Sequence, residues 1–155
     1  MSLQPPEIFA RIYARHGHRC PMSTLGGILG QAAMRWLDDD DELTAIYHSR
    51  TCALDGIAET TGCSEENGRL SVASDGRHCL ILQTPQTRIE LEITEEALEL
   101  SGQYRSLCNR LELGWDALEP AEQTRRRSEM DAMLDSLLPQ FWQAEETTLI
   151  RKVDS

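Results

Sequence analysis

The sequence predicts an α+β fold, an antiparallel sheet packed with helices, and three observations carry that reading. Two stretches of helical period open the chain. The middle third alternates in short apolar runs split by turn residues. Helical period then returns after residue 94. Helices, then strands, then helices fit α+β better than a wound parallel sheet. The 155 residues suit one domain over 1–155, with 115–155 as a helical C-terminal extension. Apolar residues make up 40 % but aromatics only 5 %, so Leu, Ile and Ala must fill the core.

In order along the chain, Pro5–Pro6–Glu7 opens a first helix, since proline is tolerated at helix starts. Ile8, Phe9, Ile12 and Tyr13 repeat at helical spacing on it. Gly17 can end that helix. Residues 23–37 read as a second helix with Ser23 as N-cap. Its Gly26, Gly27 and Gly30 cost helix stability, and close contact with a neighbour would be the return. Residues 38–42, "DDDDE", read as a solvated loop without the calcium-loop spacing. Residues 43–49 read as a strand and residues 51–62 as a short helix, with Thr51 as cap and Gly62 as end. "RLSVAS" and "HCLILQT" read as a hairpin about Asp75–Gly76. In residues 87–94, Ile89, Leu91 and Ile93 face a core while Arg88, Glu90 and Glu92 face water. Thr94 caps a further helix bearing Ala97, Leu98, Tyr104 and Leu107. A last helix fills roughly 117–138 and ends near Pro139.

The net charge of −11 leaves no basic cluster to neutralise phosphates, which argues against nucleic acid and anionic membrane surfaces. No 18-residue apolar run and no leader pattern is seen, so the expected compartment is the cytoplasm. There the five cysteines read as thiols or metal ligands rather than disulfides. No CxxC, phosphate loop, nucleotide fingerprint or Gly-x-Ser-x-Gly occurs.

The His and Cys positions carry the chemistry. In extended chain His16, His18 and Cys20 would point one way; in helix only His16 and Cys20 would. Pro21 pushes Cys20 toward the extended region, which favours three-way convergence. Imidazole and thiolate suit zinc, iron and other borderline ions. Cys52 stands at a helix N-terminus, where a thiolate is favoured, and reads as ligand, nucleophile or redox thiol. Asp55, one turn on, could accept a proton or orient a histidine. A helix between Cys52 and Cys63 spans about 16 Å, so the two cannot share an ion within one subunit. Cys79 and Cys108 read as packing residues, His78 as an ordinary strand residue, and His48 as a possible addition to the site.

The segments "HGHRCPM" and "CALDGIAETTGCSEENGRL" together resemble the FmdE family, named for a component of formylmethanofuran dehydrogenase, over about residues 8–110. Met22 stands where that family has glycine, and "EENG" replaces its GKG-like stretch. The resemblance implies an α+β core domain, a homodimer, and a site at His16, His18, Cys20, Cys52, Asp55 and Cys63. No cysteine follows Cys108, so the chain looks like a member without the C-terminal zinc finger that some relatives add.

The expectation is a cytoplasmic metal-binding protein. His16, His18, Cys20, Cys52 and Cys63 are its candidate ligands, zinc its first metal, and iron or nickel its rivals. Asp55 would be a proton acceptor or a support for a ligand. Through the family name, a molybdenum or tungsten oxidoreductase is the expected partner. The rivals are a thiol redox protein using Cys52 and a metal-dependent enzyme of unknown substrate.

Overall fold

The computed structural model describes residues 4–37 and 42–153. The acidic run 38–41 lies outside the described residues. Helix α1 (Glu7–His16) starts directly after Pro6 and ends at Gly17, whose φ of 96° lies in the left-handed region. Helix α2 (Pro21–Met34) begins two residues earlier than the sequence suggests, with Cys20 rather than Ser23 at its N-cap and Pro21 in its first turn. Proline there gives up an N–H that has no partner in a first turn anyway. The Ser23 and Thr24 hydroxyls instead donate to the Cys20 carbonyl at 2.9 and 2.8 Å.

Strand β1 (Thr44–Tyr47), helix α3 (Ala53–Thr61), β2 (Leu70–Val72), β3 (Cys79–Gln83) and β4 (Arg88–Ile93) follow. Then come α4 (Glu95–Leu111), a 3₁₀ turn at Trp115–Ala117, α5 (Pro120–Gln143), α6 (Glu146–Leu149) and β5 (Ile150–Lys152). The sheet has the order β2-β1-β3-β4-β5. β1 runs parallel to β2, and the other pairs are antiparallel. The hairpin expected about Asp75–Gly76 is therefore not one: β1 lies between β2 and β3. The turn itself is present, with Gly76 at φ 83°. It passes over the end of β1, where the Gly76 N–H meets the His48 carbonyl at 3.0 Å.

One face of the sheet takes the helices. Ala45, Tyr47, Leu80, Leu82, Ile89, Leu91 and Ile93 join a core with α1, α2 and α5. Side chains alternate along a strand, so Cys79, Ile81, Glu90 and Glu92 point to the other face. The segment 115–153 does more than extend the domain. Leu134, Leu137, Leu138 and Phe141 of α5 are buried in the same core, and β5 adds an edge to the sheet. Pro139 does not end α5, which runs on to Gln143. Its last turn is held by tertiary contacts: Phe141 is buried, and the Trp142 Nε1–H donates to the Tyr13 hydroxyl at 3.1 Å.

Helices α2 and α3 meet backbone to backbone. A Cβ on Gly26 would collide with the Ala53 carbonyl, and one on Gly56 with the Ser23 carbonyl and the Gly27 nitrogen. Each helical glycine gives up about 1 kcal/mol of propensity. The approach they allow sets the N-terminus of α2 beside the N-terminus of α3.

Candidate metal centre

Cys20 and Cys52 are the N-cap residues of α2 and α3, so the glycine contact that joins the helices also joins the sulfurs. His16 ends α1 one turn before Cys20. A ring nitrogen of His16 and the sulfurs of Cys20 and Cys52 all lie within 4.8 Å of one another. The Nδ1 of His16 donates to the Asp55 Oδ2 at 2.7 Å. A carboxylate only accepts, so Nδ1 carries the proton, and in the neutral ring Nε2 keeps its lone pair. That Nε2 is buried and has no hydrogen-bond partner. Asp55 sits in the first turn of α3 and is also bridged to Arg15 at 3.5 Å.

The two thiols are not equivalent. The Cys52 thiol lies beside the Cys20 sulfur, and backbone N–H groups of Ser23 and Met22 face that sulfur too. Together they outweigh burial and hold Cys20 well below the usual thiol range. The same neighbour, with burial, raises Cys52. The sequence points to Cys52 as the thiolate because it opens a helix. The structure favours Cys20 in that role, since it opens a helix as well and backbone N–H groups face its sulfur. Cys52, not the expected Thr51, is the N-cap of α3; the Thr51 hydroxyl, one residue earlier, accepts from the Ala53 N–H at 3.2 Å.

Two expected ligands fall outside the cluster. His18 is exposed, and its ring lies against that of His16 with centroids 4.3 Å apart. The extended alternation that would have aligned His16, His18 and Cys20 is broken by the left-handed Gly17. Cys20 does take the extended backbone that Pro21 favours, at φ −154° and ψ 131°. Cys63 is fully buried at the far end of α3, where its thiol donates to the Leu43 carbonyl at 3.5 Å. The intact helix separates it from Cys52, as its length requires.

The cluster opens on a cleft of about 730 Å³. It is lined by His16, Cys52, Asp55 and His78, and by Ser101 and Arg105 of α4. Arg105 also contributes positive charge beside Cys52. Sequence reasoning does not single out these α4 residues. Their one signal is spacing: Leu98, Ser101, Gly102 and Arg105 recur at helical intervals and share a stripe of α4.

The sequence model of FmdE, described as "Molybdenum formylmethanofuran dehydrogenase operon", matches residues 15–149. The chain belongs to the FmdE family. The FmdE match contains every residue of the cluster, from His16 to Asp55. Among solved structures, this FmdE member is similar to a tungsten formylmethanofuran dehydrogenase FmdE-like protein from Syntrophus aciditrophicus. The two share 23 % identity and a TM-score of 0.60, over 96 % of this chain and 71 % of that one. That likeness shows the shared fold. No curated protein matches. Among the described residues, no helix is long and apolar enough to cross a membrane.

Proposed function

We propose that this FmdE protein binds a transition-metal ion through His16, Cys20 and Cys52, with Asp55 fixing the histidine. The observation that carries the reading is a ring nitrogen of His16 beside two sulfurs, with the Nε2 of that ring buried and unpartnered. An unmet polar atom in the interior is costly, and a bound cation removes that cost. Asp55 on Nδ1 supports it, since carboxylates commonly hold a metal-binding imidazole in one tautomer. One nitrogen and two sulfurs suit zinc best, ahead of iron or nickel. Three protein ligands leave a position open for water or a substrate, and the bound ion would supply Lewis acidity there. Ser101 and Arg105 would position an anionic group in the cleft.

The family description and the name of the similar solved protein both refer to formylmethanofuran dehydrogenases, one with molybdenum and one with tungsten. They support a molybdenum or tungsten oxidoreductase as partner. A homodimer and a cytoplasmic location complete the reading; the five free thiols suit a reducing compartment. Sedimentation at micromolar concentration tests the dimer.

The test of the site is elemental analysis of anaerobically purified protein beside Cys20→Ala and Cys52→Ala variants. The reading expects one equivalent of metal in the parent that is missing from both variants. Unchanged content in both would sink it. A second reading, thiol redox work, rests on the proximity of the Cys52 and Cys20 sulfurs. It expects a Cys20–Cys52 disulfide on mild oxidation of metal-free protein, abolished by either variant.

A further inference from the structure

The outer face of the sheet holds a second constellation that resembles the first in its chemistry and shares none of its residues. His48 follows β1, and its N–H donates to the Cys79 carbonyl at 3.1 Å, so the two residues are neighbours across strands. Glu90 of β4 lies diagonal to Cys79, which pairs directly with Glu92. Long side chains reach across such a diagonal. A ring nitrogen of His48, the Cys79 sulfur and a Glu90 oxygen lie within 4.8 Å of one another.

The surroundings match those of a metal ligand set. His48 is 8 % exposed, and its Nδ1 meets the Asp75 carboxylate at 2.9 Å. A terminal nitrogen of Arg77 also lies 3.2 Å from Nδ1, but only the carboxylate can accept the ring proton there. Asp75 is itself fixed by Arg77, through Nε at 3.3 Å and a terminal nitrogen at 3.2 Å. The Nε2 of His48 is buried with no hydrogen-bond partner, as the Nε2 of His16 is. Cys79 is 2 % exposed, although it points away from the helices. Its thiol donates to Glu90 Oε1 at 3.3 Å. A sheet face turned away from the helices has no packing need for a histidine, a thiol and a carboxylate gathered with one nitrogen unmet.

We propose that His48, Cys79 and Glu90 bind one divalent cation of the zinc class. Nε2 is the coordinating nitrogen of His48, because Nδ1 is committed to Asp75. The Cys79 thiol proton, shared with Glu90 in the metal-free protein, leaves as the cation binds, and both side chains then face the ion. Asp75 orients the imidazole from behind, and Arg77 holds Asp75. One nitrogen, one sulfur and one oxygen leave a further position to solvent.

The experiment is an anaerobic Co²⁺ titration of the metal-free full chain, followed by thiolate-to-cobalt absorption, with Zn²⁺ equivalents counted by mass spectrometry. The parent is expected to bind two equivalents. Cys52→Ala and Cys79→Ala should each bind one, and the double variant none. Glu90→Gln keeps an acceptor for the thiol and checks the site without deleting the sulfur. It should weaken the second equivalent by at least tenfold and leave the first unchanged. Asp75→Ala should weaken the same equivalent by about 10–100-fold. The inference is overturned if Cys79→Ala and Glu90→Gln bind as the parent does, or if Cys52→Ala binds no metal. An equivalent lost in Cys79→Ala but unaffected by Cys52→Ala would instead sink the His16 site and leave this one standing.

Discussion

Asp55 contributes a single hydrogen bond at 2.7 Å, and that bond decides which nitrogen of His16 is free. Removing it in Asp55→Ala should lower metal affinity by about 10–100-fold with the fold intact. A competition titration against a chromophoric chelator reads this directly. Equal affinity would mean that the imidazole is oriented without the carboxylate. A different carboxylate supplies a pH prediction. Hydrogen bonds from Arg125, then Arg126, hold Glu122 at about 2, below its ordinary 4.5. A carboxyl depressed in the folded state stabilises above its unfolded pKa, and the contribution is lost as pH falls toward the folded value. Urea unfolding of the parent and Glu122→Gln should therefore differ by a constant amount above about pH 5.5 and converge as pH approaches about 2. A gap that widens on acidification would contradict the assignment. Single residues also show what is legible in advance. Asp55 and the extended Cys20 are, because each follows a local rule. His18 is not, although Gly17 reads as a helix end. A left-handed residue there redirects the chain, so the same glycine argues against the alternation.

Among the elements, the α2–α3 contact matters most, because it brings the two sulfurs together. Gly56→Ala puts a methyl against the Ser23 carbonyl and the Gly27 nitrogen, neither of which can move without bending α2. Overpacking of this kind costs about 1–3 kcal/mol. The variant should lose stability and metal affinity together, measured by urea unfolding with and without Zn²⁺. Loss of stability alone would mean that the helices separate elsewhere and the sulfurs stay in place. The helix periods and the β4 alternation are legible in the sequence, since each depends on residues close along the chain. The strand order is not. Asp75–Gly76 encodes a turn, but nothing local encodes that β1 occupies the place beside β3. β5 escapes notice for a similar reason: three residues, Ile150–Lys152, carry too little alternation to stand out. The face of Cys79 follows from Leu80, buried beside Tyr47 and Leu91, and Leu82, buried beside Ala45 and Ile89, which leaves odd positions on the far side.

At the scale of the whole molecule, α5 is joined to the N-terminal segment. Phe9 stacks on Trp142 at 6.4 Å, and Arg19, beside the cluster, bridges Asp135 at 2.6 Å. Leu138 is fully buried. Leu138→Ala should cost about 2–5 kcal/mol in a single cooperative transition. Two transitions, with only the weaker one shifted, would make residues 115–153 a separate unit. The position of β1 inside the sheet has a further consequence, for solubility. Threading β1 between β2 and β3 takes the four-residue β1 off the rim, and β5 covers β4, so β1, β3 and β4 are all paired on both sides. The rims are β2 and β5, three residues each, and β5 presents Arg151 and Lys152 to solvent. A neighbouring chain seeking a strand to extend meets only short rims, one of them cationic, which is how sheet proteins resist stacking into aggregates.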